Sequence, residues 1–264
     1  MPVVTLLTDY GPGSEHVGAL HAVIASGCTS ADRIDLAHDI PPGDVRFGAL
    51  VLARLVPLAP VGVHLAVVDP GVGTARRAVA VATDDGRVLV GPDNGLLAPA
   101  CGALGAVRAV ELTSATHRRE PVAATFHGRD VFAPAAAFLA GGGGIDDLGP
   151  RIDVRSLGRL DLPSPVVVAG RLEATVVGVD RFGNVELMAG GAELAALGGA
   201  GPLRVVAHGA ELPARVAAVF ADVAPDEALV HLDAHGSVAV AIRDGSAGER
   251  LGVAPGSSVT IERM

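Results

Sequence analysis

The stretch Val-Gly-Val-His-Leu-Ala-Val-Val (61–68) runs directly into Asp-Pro-Gly-Val-Gly-Thr-Ala-Arg-Arg (69–77). A short, nearly continuous apolar run rich in valine reads as a strand buried on both faces, the kind found in parallel sheets. Pro70 and Gly71 then force a turn, which leaves Asp69 at the carboxyl end of the strand. Working outward, Val3–Thr8 is a second strand of the same type, and Asp9 ends it. Residues 14–26 carry Val17, Leu20 and Ile24 at helical spacing, and residues 45–55 do the same with Phe47, Leu50, Leu52 and Leu55. Ile34–Leu36, Ala78–Ala82, Val88–Val90 and Ala106–Glu111 read as strands, and Leu96–Cys101 and Asp130–Ala140 as helices. Alternation of this kind predicts a doubly wound, mainly parallel sheet with helices on both faces.

The pattern changes after residue 140. Gly141–Gly144 is a glycine run, and Asp-Leu-Pro-Ser-Pro (161–165) reads as a linker. Short strands follow at Glu173–Val179, Leu203–Ala207, Arg215–Val219, Ala228–Leu232, Ser237–Ile242 and Ser258–Ile261, with one helical stretch at Ala192–Leu197. The prediction is therefore an α/β domain over residues 1–160 and a smaller all-β domain, barrel or sandwich, over residues 161–264.

Composition narrows the chemistry. The chain has 264 residues, 20 bases against 29 acids, and a formal charge of −9. Every base is Arg. Without Lys there is no Schiff base, no P-loop lysine and no Lys general base. A net-negative chain with dispersed Arg and only 3% aromatics is a poor binder of nucleic acid. No stretch approaches the roughly 20 apolar residues of a membrane helix, and the first residues lack the pattern of a signal peptide. Cys28 and Cys101 share no CxxC spacing and read as reduced thiols, which suits the cytoplasm.

Several side chains carry possible chemistry. In an open α/β sheet ligands bind outside the carboxyl ends of the strands, so Asp9 and Asp69 face one crevice. The glycine-containing loop 69–77 returns Arg76 or Arg77 toward Asp69, which keeps a carboxylate charged and oriented. Its glycine spacing is not that of a dinucleotide loop. The chain's two Asn residues, Asn94 in Gly-Pro-Asp-Asn-Gly-Leu-Leu (91–97) and Asn184 in Asp-Arg-Phe-Gly-Asn (180–184), both lie in turns. Asn serves left-handed turns, and its amide also matches a purine edge or an amino-acid head group. His127 in Thr-Phe-His-Gly-Arg-Asp (125–130) is the titratable group placed for work near neutrality. The other histidines show no metal-ligand spacing, so no metal site is expected, and no GxSxG elbow accompanies a Ser-His-Asp set.

Taken together these motifs resemble one family. Leu-Leu-Thr-Asp-Tyr-Gly (6–11), Ile-Pro-Pro-Gly-Asp-Val (40–45), Val-Val-Asp-Pro-Gly-Val-Gly-Thr-Ala-Arg-Arg (67–77), the 91–97 loop, the 125–130 loop and the 180–184 turn occur in the order seen in S-adenosyl-L-methionine (SAM) hydrolases. These are also called SAM hydroxide adenosyltransferases and are related to the fluorinases and chlorinases. The resemblance implies conversion of SAM and water to adenosine and L-methionine with no metal or cofactor. It implies a homotrimer whose sites lie between the large domain of one subunit and the small domain of its neighbour. By position, Asp69, Arg76 and His127 match the set that handles the water, and Asp9 matches the carboxylate on the ribose diol. Asn184 with Phe182 matches the adenine contact, and Asp180 a contact to the methionine amine; Asn94 remains a substrate-binding candidate from its own loop.

The halogenating relatives carry Tyr at Asp69, Tyr-Ser at His127-Gly128 and Trp at Gly43, which puts this chain on the hydrolase side. The family often has Ser-Ser-Gly-Tyr or Ser-Arg-Gly-Tyr, then Asn, where this chain reads Ala234-His235-Gly236-Ser237 and Arg243. The partner of the methionine carboxylate is left open by that departure. The alternatives are a 5′-halo-adenosine-forming halogenase, a non-catalytic adenosine or SAM binding module, and a metal-dependent hydrolase.

Overall fold

Every residue of β1 (Val3–Thr8) is buried, because both faces of the strand are covered. Leu6 packs with Leu20 and Ile24 of α1 (Glu15–Gly27), and Leu7 packs on the other face with Leu52 of α2 (Val45–Leu55). Each such leucine contributes about 1.5–3 kcal/mol by leaving water. The computed structural model describes residues 1–198 and 201–264 and divides into two units, Met1–Asp161 and Leu162–Met264.

In the first unit the chain continues through β2 (Asp32–Ala37), β3 (Val63–Val67), β4 (Ala78–Thr83), β5 (Val88–Pro92), α3 (Ala98–Leu104), β6 (Ala106–Glu111), α4 (Ala133–Ala140) and β7 (Arg151–Ile152). The seven-stranded sheet has the order β2-β1-β3-β5-β4-β6-β7. Strands β2, β1, β3, β5 and β6 run one way, and β4 and β7 run against them. The sheet is thus mainly parallel, with α1 and α4 on one face and α2 and α3 on the other. The β4–β5 turn is too short for a crossover, so those neighbours must be antiparallel.

Two differences from the sequence reading bear on the site. The helix expected from Asp130 begins as a π-helical turn over Gly128–Phe132 and becomes α4 at Ala133. Pro134 has no N–H to give to the carbonyl of Asp130, and that carbonyl instead accepts from the Arg119 backbone. Helix α3 likewise starts two residues later than Leu96, with Pro99 in its first turn.

The second unit holds β8 (Val166–Val168), β9 (Arg171–Val179), β10 (Val185–Gly190), α5 (Gly191–Ala196), β11 (Pro202–Ala207), β12 (Ala210–Val216), β13 (Ala228–Leu232), β14 (Ser237–Ile242), α6 (Ala247–Leu251) and β15 (Ser258–Arg263). Strands β10-β14-β13-β12-β11-β15-β9 close on themselves through the β9–β10 pairing, and β8 is added outside β9. This is a seven-stranded barrel. An odd ring cannot alternate throughout, and β12–β13 is the parallel pair. Its interior is Leu172, Val176, Leu187, Val205, Val230, Val240 and Ile261. Strand β12 begins five residues before the expected Arg215, in a hairpin with β11 whose turn is His208-Gly209, both at positive φ. Strand β10 and helix α6 were not expected. Helix α6 is too short to show periodicity and is defined by its Ser246 N-cap and left-handed Gly252.

Candidate active site

Strands β1 and β3 are adjacent and parallel, with Thr8 paired to Val67, so Asp9 and Asp69 both lie just beyond the carboxyl end of the sheet. Asp9 Oδ2 accepts a hydrogen bond from the Gly43 backbone at 2.8 Å. Gly43 belongs to the loop that leads into α2, so this bond ties that loop to the crevice.

Asp69 and Arg76 form a buried ion pair, with side chains 5% and 10% exposed. The guanidinium lies fork-to-fork on the carboxylate: Nε donates to Oδ1 at 2.8 Å and to Oδ2 at 3.0 Å, and Nη2 donates to Oδ2. Nη2 also donates to His127 Nδ1 at 2.9 Å, and the guanidinium carbon stands 5.2 Å from the centre of the Phe132 ring. The loop 69–77 therefore delivers Arg76, while Arg77 turns away to Asp93, donating from Nε at 2.8 Å. Gly73 makes the loop possible. It has φ +78°, and a Cβ there would lie 2.5 Å from the Ala124 carbonyl oxygen, so the loop carrying His127 packs directly on it.

Arg76 cannot accept a hydrogen bond, so its contact fixes the histidine tautomer. Nδ1 of His127 is the acceptor, and the neutral ring carries its hydrogen on Nε2. Burial and then the Arg76 charge lower the His127 pKa below 6.5, against the opposing charges of Asp69 and Asp130. Asp130 is buried and accepts from Arg129 Nε at 2.7 Å and from the Ala123 backbone at 2.9 Å, which anchors the loop around His127.

Tyr10 follows Asp9. Its ring meets Phe126 edge-on at 5.8 Å and lies 5.5 Å from His16. Burial, then the charges of Asp9 and Asp69, raise its phenol pKa above the ordinary 10.0, with Arg76 opposing. The sequence reading missed this residue, although it is the chain's one Tyr and sits inside the 6–11 motif.

Asn94 sits behind this cluster. Its Nδ2 donates to the Val68 carbonyl at 2.9 Å and its Oδ1 accepts from the Leu96 backbone at 3.1 Å. The amide thus joins the loop after β5 to the residue before Asp69.

In the second unit Asp180, Phe182 and Asn184 share one turn. Asp180 Oδ1 accepts from the backbones of Phe182 at 2.8 Å and Asn184 at 2.9 Å, and Oδ2 accepts from Asn184 Nδ2 at 2.8 Å. The ring of Phe182 is left 72% exposed. Asp180, Phe182 and Asn184 line a cavity of about 920 Å³ together with Phe220, Ile242 and Arg243. Phe220, 45% exposed, was also missed by the sequence reading. The Ala234–Ser237 stretch is the tip of the β13–β14 hairpin, organised by Asp233, which accepts from the His235 and Ser237 backbones.

Spacing alone hid one further cluster. Asp35 Oδ1 accepts from His21 Nε2 at 2.8 Å and lies 3.0 Å from His38 Nε2, while His38 Nδ1 is 2.8 Å from Thr8 Oγ1. Three elements bring these residues together, which no local motif could reveal. Burial works against the Asp35 charge, yet its His38 and His21 partners hold its carboxyl below the usual range.

An α/β sheet with paired acids beyond its carboxyl edge and a fixed Asp-Arg-His chain defines a protein that acts on a small ligand held there. The particular family follows from comparison with known proteins. Residues 4–149 match the SAM hydroxide adenosyltransferase N-terminal domain and residues 174–260 the SAM hydroxide adenosyltransferase C-terminal domain, and the chain belongs to that family. It is 50% identical to an (R)-S-adenosyl-L-methionine hydrolase of Salinispora tropica, over 98% of this chain and 97% of the relative. A fluorinase of Nocardia brasiliensis is 27% identical over 99% of this chain and 97% of the relative. The crystal structure of an uncharacterized conserved protein from Thermotoga maritima superposes with a TM-score of 0.91 at 35% identity, covering 98% of this chain and 100% of that one.

Proposed function

We propose that this protein hydrolyses S-adenosyl-L-methionine to adenosine and L-methionine. An oxygen–C5′ bond forms as the C5′–sulfur bond breaks, and the bonding electron pair goes to sulfur, which leaves as a neutral thioether. The water loses one proton. Such a leaving group needs no Lewis acid, so the reaction is metal-independent. The observation that carries this reading is the Asp69–Arg76–His127 chain.

Its geometry divides the labour. Arg76 fixes the Asp69 carboxylate and occupies Nδ1 of His127. His127 therefore presents Nε2–H as a donor to the attacking oxygen, and Asp69 is the group that receives the water proton. Exclusion of bulk water strengthens the attraction between this incipient hydroxide and the sulfonium. Asp9 holds the ribose diol. Phe182 stacks on adenine, Asn184 reads its edge, and the methionine head group, with charges of both signs, meets Asp180 and Arg243. Asn94 supports the substrate site through Val68 and the backbone leading to Asp69.

The assembly we infer is a homotrimer in which the Asp69 cluster of one subunit works with the Phe182 cavity of a neighbour. Residues 1–160 supply the catalytic crevice and residues 161–264 complete the nucleoside and methionine site. The exposed Phe182 and Phe220 support this, because large aromatic surface is normally covered in the working state. Cys28 and Cys101 are buried free thiols, which supports a cytoplasmic location. Among the described residues no helix is long and apolar enough to cross a membrane.

The test is direct. Purified protein with SAM and a chelator is expected to release adenosine and methionine, read by chromatography. No adenosine above the blank sinks the reading, and 5′-chloro-adenosine formed in added chloride turns it into a halogenase.

A further inference from the structure

Gly128 follows His127 and lies in the π-helical turn, and its backbone does not require glycine. What excludes a side chain is Tyr10. A Cβ at position 128 would lie 2.4 Å from Tyr10 Oη and 3.3 Å from Cζ, inside any real contact distance. The phenol thus stands against the peptide next to His127. It is held there by rings rather than by polar bonds: Phe126 meets it edge-on, and His16 lies on Phe126 at 4.8 Å. Among the described residues Tyr10 Oη makes no hydrogen bond, while the Tyr10 backbone N–H donates to Thr8 Oγ1. Tyr10 is half-buried, and its hydroxyl, under the charges of Asp9, Asp69 and Arg76 and without an acceptor of its own, is a donor free to serve a ligand.

We propose that Tyr10 is a further catalytic residue, whose phenol occupies the space of any side chain at position 128 and donates a hydrogen bond to the attacking oxygen. The proposal rests on the hydrolase reading. The phenol and His127 Nε2–H then supply two neutral donors to an oxygen whose proton goes to Asp69, an arrangement that stabilises hydroxide. Burial, then the charges of Asp9 and Asp69, keep the phenol protonated, so it remains a donor throughout the working pH range.

Kinetics on the full chain test this, with SAM as substrate and adenosine release as the signal. Tyr10→Phe is expected to lower kcat about 10- to 100-fold with KM within about 2-fold, since orientation is lost and substrate binding is not. Gly128→Ala is expected to lower kcat about 100-fold when Tyr10 is present, and far less when Tyr10→Phe has removed the opposing oxygen. A Phe variant with unchanged kcat overturns the proposal, and so does one that raises KM alone, which would place the phenol on the ribose. Equal damage by Gly128→Ala in both backgrounds overturns the steric part. Wild-type turnover tests the hydrolase reading separately from these ratios. Tyr10 is the only Tyr and there is no Trp, so phenol absorbance titrates this one group without any turnover. Ionisation above the ordinary 10.0, moving down in Asp69→Asn, supports the placement; ionisation at 10.0 in both overturns it.

Discussion

The two candidate regions are built on opposite principles. In the Asp69–Arg76–His127 chain the Asp69 and Arg76 side chains are buried, His127 is half-buried, and the three are held side chain to side chain. The Asp180–Asn184 turn spends its polar groups within itself, two bonds to backbone and one between side chains, and leaves Phe182 in solvent. Reaction chemistry needs charge fixed before the substrate arrives, and that requires burial and many bonds. Recognition of a flat base needs an accessible ring, and its apolar surface is desolvated only when the base binds. The comparison teaches that damage to the first region is expected in turnover and stability, and damage to the second in affinity.

The largest expected effect is that of Asp69→Ala. Under the proposed mechanism turnover falls roughly 10³-fold or more, because the water loses its proton acceptor and Arg76 its anchor. Leaving Arg76 buried without its partner also costs about 3–5 kcal/mol, seen in a thermal melt. Adenosine affinity, measured by calorimetry, stays within about 3-fold, since a carboxylate on the water does not touch the base. Equal losses in turnover and affinity break the division of labour.

Phe182→Ala is the converse. Loss of a base stack weakens adenosine binding by about 1–3 kcal/mol, or roughly 10- to 100-fold. Folding stability moves by less than about 0.5 kcal/mol because the ring is exposed. A large stability loss with unchanged affinity shows that the ring is structural.

The pH dependence sharpens the first region further. His127 titrates below 6.5 in the folded chain, so the protein favours the neutral ring. Its contribution to stability is complete above the unfolded value of about 6.5 and is lost as pH falls through the lowered folded value. Protonation also removes the acceptor for Arg76, so the acid limb of the rate profile belongs below the ordinary histidine value. A limb at or above 6.5 contradicts this electrostatics. The smallest effect is that of Asn94→Ala, which removes two hydrogen bonds to backbone and costs about 1–3 kcal/mol in a melt. Its kcat falls modestly through Asp69, with KM little changed; a KM effect alone would make Asn94 a direct substrate contact.

Much of this molecule was legible along the chain. The runs 3–8 and 61–68 announced parallel core strands because burial on both faces demands continuous apolar residues. Asp9 and Asp69 were placed at one edge because strand ends in such a sheet share a side. Strand β10 and helix α6 escaped because short elements carry little periodic signal. The π-helical start at Gly128 escaped because it depends on Arg119, distant in sequence, taking a carbonyl that Pro134 released.

The sequence by itself determined the α/β and all-β order, the aspartates at the strand ends, and the motifs whose spacing resembles SAM hydrolases. Those properties are local or periodic and need no knowledge of distant neighbours. Only the tertiary structure decided that Arg76 rather than Arg77 meets Asp69, that His127 offers its Nε2–H, and that Tyr10 closes the space at Gly128. It also decided that Asn94 binds backbone and that Asp180 organises its own turn. The physical reason is that a side chain's partner and tautomer depend on which loops meet in space. Glycine can be read as permissive anywhere, but what it makes room for is seen only when the opposing ring is in place.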